Sequence, residues 1–267
     1  MLDGDLFIQD TQNVTLFLPN LPPAGTFLQR ITETLRIQDN EDLTSLGDQF
    51  DLLEEVGVNV VLRENGLTEI AADAFPSLRQ IADAPKAGPG LSITNGGDLL
   101  ERVSGFNALE QINANMLIST SPSITTIDGF TSLTAINGTR PPPRECCVPR
   151  ASRRGSDSLA LDAHCSIISG SVVGSNTNGD LIFRGLERLS DFSGLSNLEV
   201  VSGEIRFTEM CTNSSVPNIC NTPGALAAGF ASLRFAGECS FAEADVRLEA
   251  AQTPTLVAAC QVKDPGF

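Results

Sequence analysis

A nine-residue motif, which we call the repeated phrase, occurs twice in this chain, and its spacing constrains the fold more than any other feature. Residues 104–112 read SGFNALEQI and residues 128–136, 24 positions later, read DGFTSLTAI, with Phe, Leu and Ile at the same places. Weaker copies lie at residues 48–56, 73–81, 193–201 and 228–233. A unit of roughly 20 to 50 residues cannot bury its own apolar face and must stack on its neighbours. The repeat therefore predicts a solenoid.

A short segment with alternating apolar residues belongs to each repeat. The alternating pairs are Leu6/Ile8, Leu35/Ile37, Val60/Leu62, Leu91/Ile93, Met116/Ile118, Leu181/Phe183 and Ile205/Phe207. Alternation at period two is typical of a β-strand with one face in the core. Several of these strands begin four positions after a phrase ends, and a constant offset is what in-register stacking requires. We therefore expect about seven turns, roughly 34 Å long at about 4.8 Å per turn.

Insertions interrupt the period without changing its register. A short one spans residues 82–90, a large one spans 137–180, and a third spans 211–220. Across the large insertion every repeat position recurs 65 residues later, so that Met116 corresponds to Leu181 and Ile136 to Val201. We therefore predict one solenoid domain over residues 1–267, interrupted by an insertion at 137–180 that contains Cys, Arg and Pro.

The C-terminal residues 240–267 have a different pattern. Ser240 followed by Glu243 fits a capping box, and residues 244–251 are rich in helix formers before Pro254. Phe241, Ala244 and Leu248 would share one face of such a helix. We expect a helical cap that covers the last turn and its exposed strand edge.

These motifs resemble the receptor L-domain, the right-handed parallel β-helix of growth-factor receptor ectodomains. The resemblance rests on Phe106-x-x-Leu109-x-x-Ile112, Phe130-x-x-Leu133-x-x-Ile136, Leu195-x-x-Leu198-x-x-Val201 and the strand pattern Leu35-x-Ile37-x-x-Asn40-x-x-Leu43. It covers residues 6–136 and 180–236, and it implies an all-β extracellular recognition or scaffold module without catalytic residues to carry over. The pattern Val60-x-Leu62-x-x-Asn65-x-Leu67 also fits a leucine-rich repeat, which is the alternative fold. The cysteine-rich module that lies between receptor L-domains is absent from the sequence, as is a kinase.

Charge and cysteine usage restrict the compartment and the partners. The chain has 33 acidic and 17 basic residues, for a net charge of −16, which disfavours nucleic acids and anionic membranes as partners. No apolar run approaches the ~20 residues that span a bilayer. The first residues contain no secretion signal. We expect that a signal peptide was removed from the mature protein. Cysteines and Asn-x-Ser/Thr sequons favour an extracellular or cell-surface glycoprotein. The sequons begin at Asn13, Asn137 and Asn213.

All of the cysteines follow residue 145, and they are disulfide candidates: Cys146, Cys147, Cys165, Cys211, Cys220, Cys239 and Cys260. We expect one of Cys146 and Cys147 to pair with Cys165, Cys211 with Cys220, and Cys239 with Cys260. Seven is odd, so one thiol stays free or bonds to a partner chain. A zinc site at Cys146, Cys147, His164 and Cys165 is disfavoured because the usual Cys-x-x-Cys spacing is missing. No metal or cofactor is expected.

The outward residues of the predicted strands are the candidates for recognition. Stacked turns would place them on one sheet face, where arginines lie beside apolar side chains, a combination suited to protein interfaces. The candidates are Phe7, Arg36, Gln38, Val61, Arg63, Leu117, Ile182, Arg184 and Arg206. The other interpretation of these residues is ordinary sheet surface, since scattered apolar residues are normal there.

The sequence favours a non-enzymatic module that acts through protein–protein contacts on the solenoid faces. The only His lies in an insertion, and no Ser-His-Asp or Cys-His arrangement is visible. One alternative is a self-assembling subunit of a surface fibre or coat. Another is a carboxylate-dependent polysaccharide-cleaving β-helix enzyme, although the absence of Trp and Tyr removes the usual sugar-stacking platforms.

Overall fold

The structure is a computed structural model, and it describes residues 1–10, 28–82, 89–94, 99–137, 179–210 and 228–241, the last five of these for the backbone only. The described part is almost entirely β. Its strands are β1 (Leu6–Gln9), β2 (Arg30–Ile31), β3 (Thr34–Asn40), β4 (Glu55–Val56), β5 (Asn59–Asn65), β6 (Glu69–Ile70), β7 (Gln80–Ile81), β8 (Pro89–Thr94), β9 (Arg102–Val103), β10 (Gln111–Ile112), β11 (Asn115–Ser119), β12 (Thr126–Ile127), β13 (Ala135–Ile136), β14 (Leu181–Arg184), β15 (Val200–Thr208) and β16 (Phe235–Phe241). A single 3₁₀ turn, Ser193–Leu195, lies among the described residues.

All strand pairs are parallel, and they form three stacks that the chain visits in turn. The first stack runs β1-β3-β5-β8-β11-β14 and ends on β15 and β16, while the second runs β2-β4-β7-β10-β13 onto the same two long strands. Because β15 and β16 cross the corner between the stacks, the two stacks count as one 13-stranded sheet. The third stack is β6-β9-β12, extended by a bridge from Thr126 to Asp191. This arrangement confirms the prediction of an all-β, parallel solenoid.

The register of the first stack agrees with the spacing predicted from sequence. Leu6 pairs with Leu35, Leu35 with Val60, Val60 with Leu91, Leu91 with Met116, Met116 with Leu181 and Leu181 with Ile205. In the second stack Ile136 pairs with Val201. The offset of 65 residues across the large insertion is therefore confirmed in two separate stacks.

The predicted boundary of the C-terminal cap at residue 240 is wrong. Ser240 and Phe241 continue strand β16, where Ser240 pairs with Arg206 and Phe241 with Phe207. Cys239-x-Phe241 repeats the strand alternation, and stacking on β15 supplies a ladder of hydrogen bonds that local capping preferences cannot match. Phe241 therefore belongs to a strand and not to a helical face. The rest of the proposed cap, residues 242–267, lies outside the described residues.

The repeated phrase forms a tight turn that fills the core. Its Phe accepts a hydrogen bond from the N–H of the Leu three residues later, as in Phe106–Leu109 and Phe130–Leu133, both at 3.0 Å. The side chains of Leu109, Leu133 and Leu198 are fully buried. Burying a side chain of this size stabilises the fold by about 1.5–3 kcal/mol.

Phenylalanines form a ladder through successive turns. Phe50, Phe75, Phe106 and Phe130 stack with centroid separations of 5.2, 4.7 and 5.4 Å. A second stack joins Phe183 to Phe207 at 5.3 Å. Aromatic pairs at such distances add about 0.5–1.5 kcal/mol each beyond the area they bury. The ladder thus holds the turns in register as well as filling the core.

Where the residue two positions after the alternating apolar pair is described, the first-stack strand ends in a corner with a left-handed backbone. Asp10, Asp39, Glu64, Thr120, Gly185 and Glu209 share this conformation, with φ between 49° and 64°. Behind this corner, the buried amide of Asn40 donates to the side-chain oxygen of Asn65 at 2.9 Å, and Asn65 donates to the carbonyl of Ile37 at 2.9 Å. These bonds satisfy backbone and amide groups that would otherwise be buried without partners.

Candidate functional site

The outward face of the first stack consists of two rows of side chains in register. The first row is Phe7, Arg36, Val61, Ser92, Leu117, Ile182 and Arg206, and the second is Gln9, Gln38, Arg63, Thr94, Ser119, Arg184 and Thr208. All nine residues predicted for recognition lie in these rows. We call these two rows the outward face. Its use in binding remains a prediction.

Two neighbouring strands in the middle of the outward face, β8 and β11, contribute no charged residue to it; their outward residues are Ser92, Thr94, Leu117 and Ser119. Val61, Leu117 and Ile182 are half-buried aliphatic side chains. Thr94 lies in the second row between Arg63 and Ser119, with its hydroxyl 3.4 Å from that of Ser92 and 3.3 Å from that of Ser119. The hydroxyls are therefore occupied with one another, and the aliphatic groups are left as the contact surface of this region.

Three of the four arginines on the outward face are paired with nearby carboxylates. Arg63 donates two hydrogen bonds to Glu64, at 2.9 and 2.8 Å, and Arg184 donates two to Glu209 on the next turn, both at 3.0 Å. Arg206 pairs with Glu204 two residues earlier in the same strand. The hydrogen bonds from arginine hold the pKa of Glu64 and of Glu209 below the ordinary value. These exposed pairs add little stability, but they neutralise most of the positive charge expected on this face.

Arg36 differs from the other three. Its guanidinium lies 5.3 Å from the centre of the Phe7 ring, a cation–π arrangement, and its Nε is buried without an acceptor. Among the residues that the structure describes, it makes no hydrogen bond or ion pair. Its neighbours in the row, Phe7 and Val61, have no side-chain acceptor. Phe7 itself is 55% exposed.

A polar column borders the outward face on the N-terminal side of the strands. In this column a side-chain oxygen accepts a backbone N–H of the following turn: Asp5 from Thr34 at 2.9 Å, Asn115 from Asp180 at 2.9 Å and Asp180 from Glu204 at 2.8 Å. The Asp180 side chain is buried, and this burial raises its pKa, with the nearby Glu204 carboxylate adding to the rise. This column was not predicted from the sequence. Its signal is an Asp, Thr or Asn directly before the alternating apolar pair in five of the seven turns: Asp5, Thr34, Asn59, Asn115 and Asp180.

A second polar cluster joins two copies of the repeated phrase near the third stack. Arg102 Nε donates to the hydroxyl of Ser104 at 2.7 Å, and Ser104 donates to the carboxylate of Asp128 at 2.8 Å, which also pairs with Arg102. Partial burial alone would raise the pKa of Asp128, but the hydrogen bonds from Arg102 and Ser104 hold it below the ordinary value. The hydroxyl proton is directed at an ionised carboxylate, which is itself held by a cation. This cluster therefore fits the role of a clamp between turns.

Several predicted residues cannot be placed on the fold. The sequon asparagines Asn13 and Asn213 lie outside the described residues, as do the cysteines Cys146, Cys147, Cys165, Cys211, Cys220 and Cys260. Only the backbone of Cys239 is described, within β16. Asn137 directly follows β13, and its N–H donates to the carbonyl of Ile112 at 2.7 Å.

Within the described ranges, no group of three or more His, Cys, Asp or Glu side chains is arranged to hold a metal ion. Nor does this part of the chain contain a helix that is long and apolar enough to cross a membrane.

Comparison with known proteins adds no relative to this picture. The chain matches no protein-family model, no curated protein and no solved structure.

Proposed function

We propose that this chain is a non-enzymatic recognition or scaffold module that binds protein partners through the outward face of its first stack. In this proposal the fold is a right-handed β-helix similar to the receptor L-domain, and it works outside the cell or on its surface. The observation that carries the proposal is the composition of the face: aliphatic side chains in the middle, ion-paired arginines near them and an exposed Phe7 at one end.

The composition of the outward face follows the anatomy of protein interfaces. Such interfaces have an apolar centre poor in charge, a polar rim, and arginine and aromatic residues as frequent energetic anchors. The uncharged middle and the paired Arg63 and Arg184 correspond to centre and rim. Because those arginines already have partners, a docking protein need not supply a carboxylate for each of them.

The size of the face limits the kind of complex it can form. Seven strands spaced about 4.8 Å apart and about four residues long cover roughly 400 Å², whereas a standard interface buries about 800 Å² per partner. A partner that uses this face alone would therefore bind weakly and transiently. A tighter complex must also contact a flanking corner, such as that formed by Asp39, Glu64 and Glu209.

Selection of peptide binders tests the proposal directly, because it does not require a named partner. A random eight-residue display library would be panned on the wild-type protein, and the recovered peptides would be measured against Leu117→Glu and Thr126→Glu. Leu117 lies in the middle of the outward face, and Thr126 is a half-buried residue of the third stack that serves as the matched control. We expect at least a tenfold loss of affinity for Leu117→Glu and none for Thr126→Glu. Peptides that bind all three proteins equally would refute the proposal.

Self-assembly is the second candidate, and exposed apolar residues at the first turn favour it. Met1 is 74% exposed and Phe7 55% exposed, while Leu2 and Leu6 are only partly covered. Light scattering after size exclusion, with and without reductant, separates the candidates. A mass that grows with concentration would support a self-assembling subunit, and a constant monomer mass would exclude it.

A further inference from the structure

Arg36 is the one cation on the outward face that the described structure leaves without an anion. Its Nε is buried and has no acceptor, and its alkyl chain leads from a strand flanked by Phe7 and Val61. The other guanidinium nitrogens make no hydrogen bond among the described residues and are not sealed from solvent. A guanidinium that is partly stripped of water and has no anion nearby gains more from a new carboxylate than an exposed one does.

The difference between Arg36 and Arg63 follows from where each lies. Both project from the same face of adjacent strands, but Arg63 precedes Glu64 and donates two hydrogen bonds to it. Asp39, which lies at the equivalent corner of the previous turn, instead accepts a hydrogen bond from Gln38 at 2.9 Å. Arg36 is two positions farther from that corner and remains over the Phe7 ring.

We propose that Arg36 and Phe7 form an anchor for one carboxylate side chain, Asp or Glu, flanked by apolar residues in a peptide segment of the protein partner. This inference rests on the proposed function and specifies the partner's chemistry. The carboxylate binds the open edge of the Arg36 guanidinium, and an adjacent apolar residue packs on the Phe7 ring. That ring is 55% exposed and already oriented by the cation above it.

A singly charged carboxylate fits this place better than a phosphate. Phosphate recognition in peptides relies on clusters of arginines, and the other arginines of the face are held by Glu64, Glu209 and Glu204. A doubly charged group would also meet the repulsion of a chain whose net charge is −16. One carboxylate carries the least charge that still satisfies Arg36.

The experiment repeats the peptide selection on three proteins: wild type, Arg36→Gln and Arg63→Gln. Arg63→Gln is the matched control, because it removes the same charge from the next strand at a residue that already has a carboxylate. We expect one position rich in Asp and Glu beside apolar residues among peptides selected on wild type and on Arg63→Gln. That enrichment should disappear on Arg36→Gln. Circular dichroism would confirm that both variants fold.

A synthetic pair then measures the contact directly. The best selected peptide and its Glu→Gln counterpart would be labelled and titrated by fluorescence anisotropy. The Glu peptide should bind wild type about three- to tenfold more tightly than the Gln peptide, which is the range of a partly exposed charge pair. The ratio should fall to about one for Arg36→Gln. Phe7→Ala should weaken both peptides by the same factor.

Each outcome separates this inference from the proposed function. If acidic peptides are enriched equally on Arg36→Gln, or if no acidic position is enriched, the anchor is wrong, while peptides sensitive to Leu117→Glu still support the face. If the selected peptides also bind Leu117→Glu as tightly as the wild-type protein, both proposals fail. If the wild-type protein dimerises and Arg36→Gln abolishes the dimer, the occupant is a second copy of this chain, and the peptide proposal is overturned.

Discussion

A methyl group added at Gly129 should test the close stacking of successive turns. Gly129 precedes Phe130 in the repeated phrase, and a Cβ there would lie 2.1 Å from the carbonyl oxygen of Gly105 and 2.4 Å from the carbonyl carbon of Ser104. Both are backbone atoms of the turn below. The φ of Gly129 does not lie in the left-handed region, so the backbone conformation itself would accept alanine.

Chain entropy and packing predict opposite effects of Gly129→Ala on the stability of the folded protein. Where the backbone conformation accepts alanine, Gly→Ala stabilises a protein by about 0.4–1 kcal/mol, because the unfolded chain loses entropy. Here the distance from the new Cβ to the Gly105 carbonyl oxygen must increase from 2.1 Å to about 3.4 Å. Such a shift would disrupt the hydrogen bond from Asp128 N to Val103 O, which is 3.1 Å long. Overpacking at about 3 kcal/mol and one lost bond at about 1 kcal/mol give a destabilisation of about 4 kcal/mol.

Thermal unfolding followed by far-UV circular dichroism would measure this effect, since the chain has no Trp or Tyr to report by fluorescence. A loss of about 4 kcal/mol lowers Tm by roughly 10 °C in a domain of this size. The control is Gly47→Ala, where φ is +58° and nothing lies within 4 Å, so only the conformational strain of about 1–2 kcal/mol applies. If Gly129→Ala is as stable as wild type, or costs less than Gly47→Ala, the close stacking of these turns is wrong.

Three further substitutions probe the interior and the polar column. Leu133→Ala, at a side chain that is fully buried between turns, should cost about 2–5 kcal/mol in urea unfolding, and a loss below 1 kcal/mol would contradict its place in the core. Asn65→Ala removes the acceptor of Asn40 and the donor to Ile37, so we expect a loss of about 1–3 kcal/mol, and an unchanged midpoint would contradict the buried ladder. Burial raises the pKa of Asp180 in the folded state above the ordinary 3.8, so ionising this group costs stability as pH rises through that raised pKa. Asp180→Asn keeps the acceptor and should therefore be more stable than wild type at pH 7, with the difference shrinking as pH falls towards 3; a constant difference across this range would contradict the raised pKa.

The strand register could be predicted from sequence because it depends on burial alone. Residues such as Leu35 and Ile37 must face inward together, and a slip of one residue would expose both, so alternation and spacing suffice to align the turns. Glu64 and Glu209 could not be assigned as ion-pair partners in the same way, because exposed side chains choose partners by rotamer and by the position of the neighbouring turn. The third stack was also missed, since two-residue strands such as Thr126–Ile127 are too short for a periodic signal.

Apolar periodicity along the chain specifies the coil: it shows which apolar residues are inside, how the turns align and where the period resumes after the large insertion. The contacts between turns emerged only once the chain was folded. These include the extension of β16 through Phe241, the polar column of Asp180, and the pairing of three arginines that leaves Arg36 over Phe7. This difference arises from the sequence separation of the groups that interact. Apolar periodicity is a property of one segment against water, whereas a hydrogen bond or ion pair between turns depends on atoms that are distant in sequence and adjacent only after stacking.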